Sequence, residues 1–336
     1  MDSFIFFALL QDGVTTGAIY LLLAIGLLIV FSVTRVIFVP QGDLLAFGAL
    51  TAASLQSGHV PGTLWLLDGM SALALLASLR RGAWRGAIAW GAYPFVLTLA
   101  SRLLVPWQQP AVSILLALAI ITPMGPLIWR FAFRPVADAS VLALLIIAMA
   151  LHFVLSGLGL VFFGPEEASA PTLTDASFDL GQLTVSGQSI CVLASCAILV
   201  AGLRWFFGAT IHGKALRAAA SDRLGARLVG IDAGASGALA FALAAFIAAL
   251  AGVLIGAITP LSYDSGFDIG LKGFVAAIMG GLASFPLAAA GAVLVGVLES
   301  LGSFWASAYR DVIVFTLLIP VLVWLSLRAG SDEERA

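Results

Sequence analysis

Two long stretches of this chain carry no ionised side chain, and they set the limits on its fold. Residues 139–163 (ASVLALLIIAMALHFVLSGLGLVFF) and 235–260 (ASGALAFALAAFIAALAGVLIGAITP) each exceed the roughly 20 apolar residues that cross a bilayer. Because lipid cannot pair with exposed backbone groups, a spanning segment must be a helix or part of a closed barrel. Continuous apolar runs, in contrast to alternating ones, indicate helices.

The composition extends this conclusion to the whole chain. Of its 336 residues, 61% are hydrophobic and 10% are charged, whereas soluble domains carry about 25% charged residues. We therefore predict an all-α, polytopic transmembrane bundle that forms a single domain over 1–336, with about 8 to 10 spans. The candidate spans lie near 13–34, 42–57, 64–79, 86–105, 110–129, 139–163, 182–203, 235–260, 271–303 and 311–328.

The basic residues predict which side of the membrane each loop faces. Lys and Arg favour the cytoplasmic side of short loops, and they cluster at 35, 80–85, 130–134 and 204–227. An even number of predicted crossings separates these clusters, so all four can face the cytoplasm. The loop 164–187 has four acidic residues and no Lys or Arg, which places it outside.

Two polar breaks interrupt the apolar sequence, near 38–47 and 264–286. Paired interruptions of this kind indicate a binding or permeation path at membrane depth; the alternative is two ordinary turns between helices. Residues 271–303 are too long for one span and too short for two. Either a bent single span or a re-entrant half-helix followed by a span would fit.

Four polar residues near these breaks are candidates for a substrate path, namely Gln41, Asp43, Lys272 and Glu299. Lys272 can also be explained by snorkelling to the interface, and Glu299 can also mark the end of a span. His152 lies inside an apolar span, where an ionisable group is a candidate for function. The competing interpretation is a neutral imidazole hydrogen-bonded to a neighbouring helix.

The sequence contains none of the motifs that would indicate an enzyme. We find no phosphate-binding glycine loop, no His-Glu-x-x-His, no Gly-x-Ser-x-Gly and no paired cysteines. Cys191 and Cys196 would lie about 140° apart on a helix, so neither a disulfide nor a shared metal is expected. We therefore predict no catalytic residue, no metal site and no cofactor in this chain.

The segment 204–232 is basic and water-soluble, although it lies between apolar runs. Residues 213–231 are rich in helix formers, but as one helix Arg223 and Arg227 would share a face with the leucines. Two short helices hinged at Gly225 would relieve this conflict. Poor separation of charges argues against a helix lying on the membrane, so docking on a protein partner is preferred over plain anchoring by positive charge.

This segment resembles the cytoplasmic loop of the permease subunits of ABC importers for branched-chain amino acids and related small polar solutes. That loop reads Gly-[basic/small]-Ala-x-Arg-Ala-x-Ala-x-Asp-x-x-x-Ala-x-x-x-Gly-Ile. The matching residues are Gly213, Ala215, Arg217, Ala218, Ala220, Asp222, Ala226, Gly230 and Ile231. Further stretches match in the family's order at 12–26, 133–136, 271–286, 299–301 and 309–311.

The resemblance implies an integral permease of the bacterial inner membrane that hydrolyses no ATP itself. It assigns 208–232 to coupling with the ATPase, through Gly213, Lys214, Arg217, Ala218, Asp222, Arg223 and Gly230. The implied partners are a homologous second permease, two ATPase subunits that carry ATP and Mg²⁺, and a periplasmic solute-binding protein. Membrane lipid surrounds the chain, and no nucleic acid is expected.

The chain departs from the family pattern in two regions. Residues 38–43 read Phe-Val-Pro-Gln-Gly-Asp where the family usually has Asn-Phe-Ala-His-Gly-Glu, and the region 60–130 is longer by about a helical hairpin. The rival hypothesis is a secondary transporter or channel that acts without ATPase partners, but it leaves 204–232 unexplained. Branched-chain amino acids, other amino acids, urea and short amides all remain possible solutes.

Overall fold

The computed structural model of the chain describes residues 3–80, 84–104, 109–174, 176–180, 183–316, 319, 320 and 323. They form a helical bundle, which confirms the predicted all-α class. The helices are α1 Ser3–Thr34, α2 Gln41–Gln56, α3 Thr63–Arg80, α4 Trp84–Leu104, α5 Pro110–Ile121, α6 Met124–Ile128, α7 Val141–Phe163, α8 Gly187–Ala209, α9 Ile211–Ser221, α10 Arg223–Leu228, α11 Ala233–Gly256, α12 Ser265–Met279 and α13 Phe285–Trp305.

Seven helical segments in the described part of the chain are long and apolar enough to cross a membrane. They are Ile5–Thr34, Thr63–Arg80, Pro110–Val136, Val141–Phe163, Gly187–Ala209, Ala233–Gly256 and Phe285–Trp305. The third is continuous because a π-helical turn, Trp129–Phe133, and a 3₁₀ turn, Arg134–Val136, extend α6. Two other predicted spans are the helices α2 and α4, and the predicted span 311–328 lies partly outside the described residues.

Close contacts between backbones hold the centre of the bundle, where α1, α2, α11, α12 and α13 meet. A Cβ placed on Gly296 of α13 would lie 2.3 Å from the carbonyl oxygen of Gly13 in α1. A Cβ placed on Gly252 of α11 would lie 2.0 Å from the carbonyl oxygen of Leu45 in α2. Small residues at these crossings are what close packing in lipid requires, which explains the glycine-rich spans.

The peripheral helices present apolar side chains outward, as a lipid environment demands. Phe153 and Val161 of α7 are 67% and 77% exposed, and Ile198 of α8 is 72% exposed. Helices α3 and α4 pack against each other beside α5. That this pair is an addition to the family pattern stays a prediction.

The acidic loop between α7 and α8 contains a short β-hairpin, which the sequence analysis did not predict. Strands β1 (Ser177–Leu180) and β2 (Leu183–Ser186) pair antiparallel, with Ser177 opposite Ser186. The same loop is tied to the end of α11, because Ala168 and Leu261 exchange two backbone hydrogen bonds of 3.0 Å. Part of the predicted outer loop is therefore attached to the bundle near the end of α11.

Both predicted breaks are present as interruptions of helical structure. Residues 35–40 are not helical, and α2 begins at Gln41, whose Nε2 donates to the carbonyl oxygen of Leu23 at 2.9 Å. Leu23 lies eleven residues before the end of α1 at Thr34, or roughly 17 Å at 1.5 Å per residue. The N-terminus of α2 therefore lies part-way along α1, at membrane depth.

The structure of the late break decides whether residues 271–303 form a bent single span or a half-helix followed by a span. Helix α12 is 15 residues long and ends at Met279, and α13 starts at Phe285 after a turn. Gly281 and Leu282 in that turn have φ of +63° and +55°, so the chain reverses there instead of bending. A half-helix followed by a span is correct, and the bent single span is wrong.

Candidate functional site

The turn from α8 into α9 depends on Thr210 and Gly213. The Thr210 hydroxyl accepts a hydrogen bond from the Gly213 backbone N–H at 3.0 Å, which caps α9. A Cβ on Gly213 would lie 2.2 Å from the carbonyl oxygen of Phe206, so a larger residue would force α9 away from α8. Gly213, predicted to belong to the coupling loop, therefore sets how closely that loop folds onto the bundle.

The coupling loop consists of two helices, as one hypothesis required, but the predicted hinge at Gly225 is wrong. The break is at Asp222, which is extended (φ −148°, ψ 108°) between α9 and α10. Its Oδ1 accepts from the Leu224 backbone N–H at 2.9 Å. Aspartate is a strong N-cap residue, so α10 starts immediately after it and Gly225 lies inside α10.

The break changes which side chains face the bundle. Leu216 of α9 and Ala226 of α10 are buried, whereas Leu224, Leu228 and Val229 are 67%, 81% and 76% exposed. Leu216 therefore does not share a face with Leu224 and Leu228, contrary to the single-helix alternative. We call Leu224, Leu228 and Val229 the α10 apolar patch.

Arg223 ties α10 to the end of α1. Its Nε and Nη2 donate to the carbonyl oxygen of Val33 at 2.9 and 2.7 Å, which satisfies an otherwise unpaired carbonyl in the last turn of α1. Burial lowers the pKa of the Arg223 guanidinium below its usual range, and the positive charges of Arg35 and Arg227 lower it further. This predicted coupling residue therefore makes its main contact within the chain.

The other predicted coupling residues lie on or near the surface of the same segment. Lys214, Arg217 and Asp222 are exposed, and Ala218 is half-buried. Gly230, with φ +88°, ends the segment after α10, because glycine adopts this left-handed conformation without strain.

A buried hydrogen-bonded pair of a carboxyl group and an imidazole joins the start of α2 to α7. His152 Nδ1 lies 2.9 Å from both carboxylate oxygens of Asp43, and the residues are 7% and 1% exposed. The imidazole also stacks on Phe267 of α12, with ring centroids 4.4 Å apart. The expected hydrogen bond from His152 to a neighbouring helix is confirmed. Its partner was missed, since 109 residues separate the pair and no local pattern connects them.

Gln41 lies beside an apolar cavity of about 210 Å³. Its Nε2 is bonded to Leu23, but its Oε1 has no hydrogen-bond partner among the described residues, although Gln41 is only 4% exposed. The cavity lies between α1, the 35–40 break, α7 and α12, and Leu27, Met149 and Phe274 are among its walls. An unpaired buried acceptor beside an apolar cavity is a feature of a ligand site.

Lys272 and Glu299 form the second buried polar cluster. Lys272 Nζ lies 2.5 Å from Glu299 Oε1 and 3.1 Å from Asp311 Oδ1, and the Tyr20 hydroxyl donates to Glu299 Oε2. Lys272 is 4% exposed and Glu299 is 9% exposed. The ammonium is therefore paired inside the protein, which removes snorkelling as the explanation for Lys272. A polar cavity of about 310 Å³ borders the cluster.

The two pairs of predicted path residues do not contact each other directly, but α12 lies between them. Phe267 of α12 stacks on His152, the hydrogen-bond partner of Asp43, and Lys272, five residues later on the same helix, pairs with Glu299. Five residues correspond to about 140° around a helix, so α12 presents different sides to the two clusters. The short helix α12 therefore borders both groups of predicted path residues.

A predominantly helical membrane bundle with two interrupted segments and a surface-exposed helical pair has the general architecture of a membrane transport protein. The family model for the permease component of branched-chain amino acid transport systems matches residues 9–322. The chain belongs to this family. The permease relatives and the span candidates place it in the inner membrane.

Individual relatives of the chain are also permease proteins. The chain is 29% identical over 325 residues to the high-affinity branched-chain amino acid transport system permease protein BraD of Pseudomonas aeruginosa, covering 94% of this chain and 92% of BraD. It is 29% identical over 322 residues to LivH of Escherichia coli, with the same description, covering 93% and 91%. The autoinducer 2 import system permease LsrC of Escherichia coli is 29% identical over 49% of this chain and 43% of its own length. No solved structure matches.

Proposed function

We propose that this chain is the membrane-spanning subunit of an ABC importer that moves branched-chain amino acids or related small polar solutes into the cytoplasm. Separate ATPase subunits would supply the energy by pushing on α9 and α10. The observation that carries the proposal is the α10 apolar patch, which is exposed on a segment fixed to the bundle by Arg223. The family and the names of BraD and LivH support the solute class.

The expected partners follow from this role. A homologous second permease completes the pathway, two ATPase subunits hold ATP and Mg²⁺, and a periplasmic solute-binding protein delivers the solute to the outer face. Isolated apolar side chains are common on protein surfaces, but Leu224 and Leu228, one turn apart on a short basic helix, and Val229 directly after it favour a protein partner. The leucines of the patch would fill an apolar groove and the nearby basic residues would lie at its rim.

The solute path is proposed to run past the two breaks, on either side of α12. The cavity beside Gln41 has apolar walls suited to an aliphatic side chain, and the free Oε1 of Gln41 can accept a hydrogen bond from an ammonium group. The Lys272–Glu299 cluster borders the polar cavity next to it along α12. Sites at broken helices near the midplane are a recurring arrangement in transporters.

Co-purification with the ATPase subunits tests the docking role. Leu228→Asp, alone and with Leu224→Asp, places a charge in the α10 apolar patch and is expected to weaken ATPase-subunit binding about tenfold or more. Leu173→Asp is the matched control, because Leu173 is 44% exposed in the loop between α7 and β1. Binding that persists in both α10 variants, with normal membrane insertion, would rule out this docking surface.

A further inference from the structure

The end of the bundle that is predicted to face the cytoplasm contains a basic cavity of about 750 Å³. It lies where the ends of α1 and α8 meet α9 and the turn before α13. Arg35, Arg204 and Arg217 line it, and no acidic residue does. In the described part of the chain, neither Arg204 nor Arg217 forms an ion pair with a carboxylate. Among the residues that the structure describes, no carboxylate therefore offsets the positive charge of the cavity.

Apolar side chains line this cavity together with the arginines and two serines. Ile29 and Val33 of α1, Phe207 of α8 and Leu216 of α9 are among these apolar residues. Trp205 is 67% exposed at the same end of α8, and exposed tryptophan is typical of the boundary between lipid and water. An amphiphile with an anionic head and an apolar tail matches both the arginines and the apolar side chains of the cavity.

The backbone around the cavity is strained at two positions. Arg35 (φ +59°) and Leu282 (φ +55°) are the non-glycine residues with positive φ in the described chain, and both line this cavity. Glycine is the usual residue in this conformation. Backbone strain of this kind clusters at ligand clamps and switch regions. An arginine at position 35 keeps a guanidinium at the cavity where a glycine would fit the backbone better.

We propose that this cavity binds the phosphate headgroup of an anionic phospholipid of the cytoplasmic leaflet. The three guanidinium groups contact the phosphate, and an acyl chain lies along the apolar side chains. Basic pockets between transmembrane helices on the cytoplasmic side are suited to such headgroups. In this arrangement Arg217 of α9 binds the lipid headgroup, and the α10 apolar patch remains free for a protein partner.

Native mass spectrometry of the full-length chain in detergent tests the proposal. Phosphatidylglycerol and phosphatidylcholine with identical acyl chains are titrated separately, and retention of phosphatidylglycerol is expected to be the stronger. Each arginine near an anionic headgroup contributes about fivefold in affinity, so Arg204→Gln with Arg217→Gln is expected to weaken binding about 25-fold. Lys214→Gln is the matched control, since Lys214 is exposed on α9 but does not line the cavity.

Arg35→Gly separates binding from folding. Glycine suits a φ of +59°, so this variant is expected to keep or raise the Tm of the protein. It also removes one guanidinium from the cavity and is expected to weaken phosphatidylglycerol binding about fivefold. If Arg35→Gly binds phosphatidylglycerol more weakly than the wild type but is at least as stable, misfolding cannot explain the lost affinity.

Several results would overturn the proposal. If phosphatidylcholine were retained equally, the cavity would not select an anionic headgroup. If the arginine variants bound phosphatidylglycerol like the wild type, the arginines would not form the site. Displacement of the lipid by glycerol 1-phosphate at equal concentration would show a site for free anions instead. If the arginine variants lost the ATPase subunits but kept phosphatidylglycerol binding, the cavity would be a protein docking surface.

Discussion

Among single residues, the acidic and basic side chains buried in the described part of the bundle occur in pairs. Asp43 lies against His152 and Glu299 lies against Lys272, and all four are at least nine-tenths buried. Removing one partner of a buried ion pair leaves an uncompensated charge and costs about 3–5 kcal/mol, whereas replacing both can be nearly neutral. The stability of the bundle therefore depends on keeping each pair intact.

His152→Leu tests this for the α2–α7 pair. It leaves the Asp43 carboxylate buried without its partner and is expected to destabilise the protein by about 3–5 kcal/mol in thermal unfolding. Adding Asp43→Asn removes the stranded charge, so the double variant should be more stable than His152→Leu alone. His212→Leu, at an exposed position in α9, is expected to have little effect. A double variant less stable than the single one would contradict the ion-pair account.

At the scale of elements, α12 is the short helix on which both candidate clusters depend. It meets the start of α2 at a close backbone contact, because a Cβ on Gly42 would lie 2.2 Å from the carbonyl oxygen of Gly266. The two interrupted segments are thus in direct contact, although more than 200 positions separate them in the sequence. A displacement of α12 would change both cavities at once.

Gly42→Ala tests the importance of this contact. The added methyl group must separate α2 from α12, so we expect a loss of about 1–3 kcal/mol and reduced solute uptake. Gly69→Ala is the control, because a Cβ on Gly69 in α3 would meet nothing within 4 Å. It is expected to be neutral or to stabilise by up to about 1 kcal/mol through helix propensity. The Tm of Gly42→Ala should therefore fall while that of Gly69→Ala stays the same or rises, and equal shifts would show that the Gly42–Gly266 contact does not matter.

The elements were more predictable than the contacts between them. Apolar runs located the spans, and the Pro-Gln-Gly sequence before Asp43 marked the first break, because these signals are local. The Asp43–His152 pair and the bond from Arg223 to Val33 join residues 109 and 190 positions apart, so they depend on the tertiary fold. The break at Asp222 had a local signal, since aspartate favours N-caps, but Gly225 was preferred as the hinge.

At the scale of the whole molecule, a connected set of contacts leads from the surface to the candidate path. Arg223 joins α10 to the end of α1, and α1 packs directly against α12 and α13. A push on α10 would therefore reach α12, which lies between the two polar clusters. This route gives the proposed ATPase partner a mechanical connection to the membrane interior.

Uptake of radiolabelled leucine into proteoliposomes tests the central claim most directly. The chain is reconstituted alone, or with its second permease, its ATPase subunits and its solute-binding protein, in the presence or absence of ATP. Uptake is expected only in the complete system with ATP, and it is expected to be lost in the complete system carrying Leu228→Asp. Concentrative uptake by the chain alone, without nucleotide, would contradict this expectation.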